Sequence, residues 1–299
     1  MKISTIDIGT NTALLLIAEW DGKNVKMIRD EARITRLGQG LHSHPAFLTE
    51  SQERTLKVLR EYRQYCTQAG VEKIIAVGTA AFRKAKNAME FVDRVEKELG
   101  FRIRIISGEE EAQLSYLSVA RDFEYSNLFA LDIGGGSTEI ISKDGGVSLD
   151  LGGVVLTERI VKQDPPTEDE VKKILDEIEG KIDLSNLHFS KEGKTLVALA
   201  GSVTTLSAIK QKLTTWDGAK VQGSILTLQD VEEMVTLFRK TTNEERRRIP
   251  GMVKGREDTI LAGTLILRSV MEKLGVDQVI VSDRGLRFGL IYSSTRTGG

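Results

Sequence analysis

The tripeptide Asp-Ile-Gly occurs twice, as Asp7-Ile8-Gly9 and Asp132-Ile133-Gly134, each time in the same setting. An apolar run that reads as a strand leads into it, at residues 2–6 and 128–131. A short glycine- and hydroxyl-rich turn follows, Gly9-Thr10-Asn11-Thr12 or Gly134-Gly135-Gly136-Ser137, and a second strand-like run leaves it at 13–18 and 138–142. A three-residue string recurs easily by chance. One that recurs with both flanking strands implies duplication of a whole structural unit. The boundary falls near 122–125, giving one domain at 1–123 and another at 124–299, with the last helix free to pack back on the first domain. Third strands are predicted at 25–28 and 147–151, so each half opens as a meander.

Helices and strands alternate after each meander. In the first half, residues 49–69 carry a helical stripe of Leu56, Leu59, Tyr62 and Cys66, followed by a strand at 73–77. A helix at 87–99 stops at Gly100, and a strand at 102–106 leads to a helix at 109–120. In the second half, Pro165-Pro166-Thr167 and an acidic first turn introduce a helix at 167–182. A strand at 195–199, helices at 204–212 and 257–274, a strand at 278–281 and a helix at 285–292 complete it, with a frayed tail at 293–299. The alternation gives an α/β fold class. With 299 residues and 40% apolar side chains, two cores are available.

Forty-two Lys and Arg balance 43 Asp and Glu, a net charge of -1, so bulk coating of nucleic acid is disfavoured and any polyanion site must gather its cations locally. No apolar run approaches the roughly 18 residues of a membrane span. The N-terminal residues read straight into a strand without a signal-peptide pattern, and the single Cys66 fits a reducing compartment, so the expected location is the cytoplasm. His42, His44 and His188 are too scattered for a histidine zinc site, and His42-Ser43-His44 reads as a solvated loop.

The turns carry the chemistry. Glycines let an anion approach backbone N–H groups without a Cβ in the way. Asp7 and Asp132 each end a strand and would face one another across a cleft between duplicated domains. Two carboxylates and a phosphate repel unless a divalent cation stands among them. Mg²⁺ suits, since it is held by one or two carboxylates plus phosphate oxygens and water. The hydroxyls of Thr10, Thr12, Ser137 and Thr138 add donors. One such turn is more often a structural hairpin, but two matched turns favour a phosphate clamp. Gly201-Ser202 opens a helix after a strand, which suits an anion and equally suits a plain Ser N-cap.

Acidic residues at the helix start Ser107-Gly108-Glu109-Glu110-Glu111 are favoured by the helix dipole alone. Successive residues point about 100° apart, so the three glutamates differ in role. Glu110 stacks with Leu114 and Leu117. Glu111 stacks with Ser115 and Ser118, which leave room for an approaching group, and is the better general base. Arg83 follows a strand by a short Gly-Thr loop, and spacing alone reads it as a surface arginine. Arg246, Arg247, Arg248, Lys254 and Arg256 form a cationic run, normally a solvated face.

Five segments, in order, resemble the motifs of the exopolyphosphatase/guanosine pentaphosphate phosphohydrolase (Ppx/GppA) family, within the superfamily of sugar kinases, heat-shock ATPases and actin. They are Ile6-Asp7-Ile8-Gly9-Thr10-Asn11-Thr12; the segment from Gly78-Thr79 through Arg83 to Asn87; Ile106-Ser107-Gly108-Glu109-Glu110-Glu111; Asp132-Ile133-Gly134-Gly135-Gly136-Ser137-Thr138-Glu139; and Val281-Ser282-Asp283-Arg284-Gly285-Leu286-Arg287. The resemblance implies two duplicated actin-like ATPase (ribonuclease H-like) domains with an interdomain cleft, and a homodimer. It implies hydrolysis of the terminal phosphoanhydride of inorganic polyphosphate, or of guanosine pentaphosphate to the tetraphosphate. Glu111 would activate water, Glu139 would position water or Mg²⁺, and Asp7 and Asp132 would organise the metal. Arg83 would neutralise charge on the transferred phosphoryl group, and Arg256 resembles a helix start near the cleft. Leu14, Gln222 and Phe288 depart from the family's usual basic, His and acidic residues, departures that bear on substrate choice rather than on phosphate binding. The chain reads as the short, two-domain form. An ATP-dependent kinase and a non-catalytic alarmone sensor stay open as alternatives, though Glu111 argues for hydrolysis.

Overall fold

The polypeptide leaves each Asp-Ile-Gly turn antiparallel to the strand that entered it. In the computed structural model, which describes residues 1–125, 127–183 and 193–294, β1 (Lys2–Ile8), β2 (Thr12–Trp20) and β3 (Val25–Ile34) form a meander. The chain continues through α1 (Thr49–Ala69), β4 (Lys73–Gly78), α2 (Ala80–Lys84), α3 (Ala88–Leu99), β5 (Ile103–Ile105) and α4 (Gly108–Asp122). β4 lies parallel to β1 on the side away from β2, and β5 lies parallel to β4, giving the order β3-β2-β1-β4-β5.

The second half repeats the plan. β6 (Leu128–Ile133), β7 (Thr138–Ser142) and β8 (Gly145–Leu149) form its meander, followed by α5 (Gly153–Ile160), α6 (Glu168–Lys181) and β9 (Thr195–Leu199). Next come α7 (Gly201–Lys210), α8 (Gly218–Val221), β10 (Ile225–Thr227), α9 (Leu228–Lys240), α10 (Asn243–Arg247), α11 (Ile260–Leu274), β11 (Gln278–Val281) and α12 (Leu286–Ser293). Among the described residues the second sheet runs β10-β11-β9-β6-β7-β8, so β8-β7-β6-β9-β11 matches the first sheet strand for strand, with β10 added at the edge. This is the strand order of an actin-like, ribonuclease H-like α/β fold, made twice. The register repeats too: Asp7 pairs with Leu14 and Ile8 with Ala13, as Asp132 pairs with Glu139 and Ile133 with Thr138.

Two units result. One comprises Met1–Ser118 with the chain from Leu286 onward, the other Val119–Gly285. The first division lies inside α4, a few residues before the 123/124 boundary read from the sequence. In the first unit α1 lays Leu56, Leu59, Tyr62 and Cys66 on the sheet and ends at Gly70 in the left-handed conformation. α12 packs Phe288, Ile291 and Tyr292 against Ile3, Leu16, Ala18 and Trp20, and the Arg287 guanidinium pairs with Asp30 of β3. In the second unit α11 is buried on nearly every side. α6 begins with a capping box in which Thr167 and Glu170 satisfy each other's backbone N–H.

β3 runs to Ile34 rather than ending at 28. It is an edge strand, and its charged second half needs a partner on one side only. α2, α5, α8, β10, α9 and α10 have no counterpart in the sequence reading. The helices read from 204 and 257 begin at Gly201 and Ile260. His188 and the tail beyond 294 lie outside the described residues.

Candidate active site

Both turns close with the same hydrogen bond. Gly9 N–H donates to Thr12 O and Gly134 N–H to Ser137 O, each at 2.9 Å. Their carbonyls are then taken up by neighbouring backbone. Gly38 N–H donates to Thr10 O, and Thr35 and Arg36 N–H donate to Asn11 O, all at 2.9 Å. At the second turn Gly153 N–H donates to Gly134 O at 3.1 Å, and Val154 and Val155 N–H donate to Gly135 O at 3.0 and 3.2 Å. The negative ends of these peptides are thus engaged by protein, an arrangement that suits each turn to offer N–H groups to an anion. The approach at the second turn is close: a Cβ on Gly152 would fall on the backbone of Gly135 and Gly136.

In the first unit the turn sits at the carboxyl edge of β1, where ligands bind in open α/β sheets. Thr79, just past the end of β4, donates its N–H to Ile8 O at 3.3 Å, and its hydroxyl lies 3.9 Å from where a Gly9 Cβ would sit. That hydroxyl also faces the carboxylate of Glu111 and helps hold its proton affinity down. Arg83 of α2 donates from Nη1 to Glu111 Oε2 at 2.7 Å and to Ile106 O at 3.1 Å. Its side chain is 25% exposed and tied to an acid, a pairing that spacing alone did not announce. Burial pushes the Glu111 carboxyl above the usual carboxylate range, while Arg83 and Thr79 pull it back down. A buried carboxylate of raised proton affinity, oriented by an arginine, is what a general base requires. Glu110 instead points outward to Arg104, at 2.5 and 2.7 Å.

In the second unit β6 and β9 run parallel with Asp132 opposite Leu199, so the Gly134 turn and the start of α7 share one sheet edge. Ala200, just before α7, has φ 71° and ψ 172°, a backbone region otherwise kept for glycine. A Cβ on Gly201 would fall on the guanidinium of Arg256, so Arg256 lies against the first residue of α7. Burial pushes the Arg256 pKa down to about 10.

Residues 16–297 match the Ppx/GppA phosphatase family. The chain belongs to that family. It is 33% identical over 315 residues to a bifunctional 3-dehydroquinate synthase/phosphatase of Fusobacterium nucleatum, covering 96% of this chain and 46% of that relative. It is 31% identical to exopolyphosphatase 2 of Mycobacterium tuberculosis, covering 98% of each. A solved Ppx/GppA structure from Aquifex aeolicus superposes with a TM-score of 0.82 at 36% identity, over 99% of this chain and 98% of that one. An exopolyphosphatase structure from Cytophaga hutchinsonii gives 0.89 at 26%, over 99% and 98%.

In this member of the Ppx/GppA phosphatase family, Asp132 and Glu139 are direct cross-strand neighbours on one face of the sheet, and Glu139 Oε1 accepts from Ser148 Oγ at 2.7 Å. Among the described residues no three His, Cys, Asp or Glu side chains are grouped to hold a metal. A neighbouring carboxylate pair beside a phosphate-type turn fits Mg²⁺, which draws its remaining ligands from phosphate and water. One expected donor has other work. Thr138 is fully buried and donates to Leu151 O at 2.6 Å, so its hydroxyl is a structural bond rather than a phosphate donor. Ser202 is buried against Gly263 of α11. Thr10, Asn11 and Ser137 are nearly buried within their turns, and Thr12 begins β2 half-exposed. Thr79 was legible only as part of a motif; its place facing Glu111 comes from the meeting of β4 with α4.

Proposed function

We propose that the protein is an exopolyphosphatase that removes the terminal phosphate of inorganic polyphosphate by Glu111-assisted attack of water. The observation that supports this most is the Thr79–Glu111–Arg83 arrangement beside the Gly9 turn. Glu111 takes a proton from the attacking water and holds it on its carboxylate, which burial makes a stronger base than a free glutamate. Arg83 keeps the carboxylate oriented and offers positive charge to the equatorial oxygens of the transferred group. The first unit contributes the amides and hydroxyls of Gly9, Thr10, Asn11 and Thr12. The second contributes Gly134, Gly135, Gly136 and Ser137, the α7 amides of Gly201 and Ser202, and Arg256. Asp7, Asp132 and Glu139 would hold Mg²⁺, whose chemistry when bound is to neutralise phosphate charge.

Guanosine pentaphosphate is the second reading, since a chain 28% identical over 296 residues, of which this one covers 58%, is a guanosine-5'-triphosphate,3'-diphosphate pyrophosphatase. Leu14 favours polyphosphate. It stands opposite Asp7 where Glu139 stands opposite Asp132, and it offers no cation to a second phosphate arm. The test is phosphate release from long-chain polyphosphate, guanosine pentaphosphate and ATP side by side, with and without Mg²⁺. Highest catalytic efficiency on polyphosphate, lost with chelator, is expected. Preference for the nucleotide would move the assignment to the second reading, and preference for ATP would overturn both.

A further inference from the structure

Among the described residues Arg246 is the largest fully buried side chain, at 1% exposure. Its guanidinium donates to Glu257 O at 2.9 Å, to Asn243 Oδ1 at 3.2 Å and to Phe238 O, none of them a carboxylate. Burying a cation this way carries a desolvation cost that an apolar side chain would avoid. What an apolar residue lacks is the fork that ties the end of α9 to the backbone beside Arg256. Glu257, 5% exposed, holds the other flank: Oε2 accepts from Gly255 N–H at 2.5 Å and Oε1 from Arg247 Nε at 2.6 Å. The segment between α10 and α11 also lies along α7. A Cβ on Gly251 would fall on Ala208 O, and one on Gly201 on the Arg256 guanidinium, so contact spans α7 from its last turn to its first. Arg256 O in turn accepts from Ile260 N–H at 2.9 Å, at the start of α11.

We infer that Arg246 and Glu257 are positioning residues that hold the Arg256 guanidinium over the first turn of α7, so that it meets a phosphate oxygen without reorganising. This rests on reading Arg256 as a phosphate contact. A grip prepaid in this way acts on substrate affinity, and a misplacement of about 1 Å costs up to about 100-fold. The experiment is a double-mutant cycle on polyphosphate of defined chain length, measuring kcat and KM at several salt concentrations. The variants are Arg256→Ala, Arg246→Met, Glu257→Gln and each pair with Arg256→Ala. Arg256→Ala is expected to raise KM about 10- to 100-fold and flatten the salt dependence. Arg246→Met and Glu257→Gln should each raise KM in the same direction, and should add almost nothing once Arg256 is alanine. Glu257→Gln keeps the shape of the side chain and decides the matter if Arg246→Met does not fold. Losses that multiply in the double variants, or no KM change in Glu257→Gln, would overturn the positioning role. No effect of Arg256→Ala alone would instead remove Arg256 from the site.

Discussion

A carboxylate beside an arginine ordinarily ionises more easily than a free one, but at Glu111 burial outweighs the pair and its proton affinity rises. Turnover by a general base requires the ionised form, so the rate should fall as pH drops through a value above the ordinary 4.5 of glutamate. Removing Arg83 takes away the largest opposing influence. Arg83→Gln should therefore shift this acid limb to still higher pH while lowering the maximal rate, read from kcat against pH. An unmoved limb would dissociate the two residues. Stability follows with the opposite sense. The folded chain holds this proton more tightly than the unfolded one, so Glu111's contribution is fully present below 4.5 and is lost as pH rises through the folded value.

The strained residue sits at an element boundary. Ala200 occupies a glycine-only region just before α7, a conformation worth about 1–3 kcal/mol of strain. Ala200→Gly relieves it but gains about 0.4–1 kcal/mol of unfolded-state entropy to lose. A net stabilisation of about 1 kcal/mol is expected in denaturant unfolding; a destabilised variant would show that the strain is not there. Gly152→Ala should do the reverse, since its methyl meets the backbone of the Gly134 turn. Loss of about 1–3 kcal/mol together with weakened phosphate-chain binding is expected, by thermal melting and titration. Sequence periodicity was enough for α1, β9 and β11, whose bounds coincide with the reading, because local pattern and burial agree there. α5 was invisible for a physical reason. It opens on Gly152-Gly153, which reads as loop, and its first N–H groups are satisfied by Gly134 and Gly135 carbonyls that no local pattern announces. α9 was legible in principle, with a Thr227–Asp230 capping box and a Val231, Met234, Val235, Phe238 stripe. Arg83 shows the remaining limit, since its partner lies 28 residues on and only the packing of α2 against α4 joins them.

At the scale of the molecule, duplication explains most of what the chain does: two sheets of one strand order, two turns closed by the same hydrogen bond and two Asp residues in the same register. The C-terminal α12 completes the first unit, where Phe288 is 4% exposed and its ring centroid lies 6.4 Å from that of Tyr292. Phe288→Ala should lower stability by about 3–5 kcal/mol with KM unchanged in the folded fraction; a loss under about 1 kcal/mol would mean α12 is not integral to that core. The central claim is that Glu111 is the base of a phosphoanhydride hydrolase. It is tested most directly by phosphate release from long-chain polyphosphate with Mg²⁺, comparing wild type with Glu111→Gln, alongside binding of the same chain by titration. A fall of about 10²- to 10⁴-fold in kcat with binding kept is the predicted result. Turnover by the variant at the wild-type rate would contradict it.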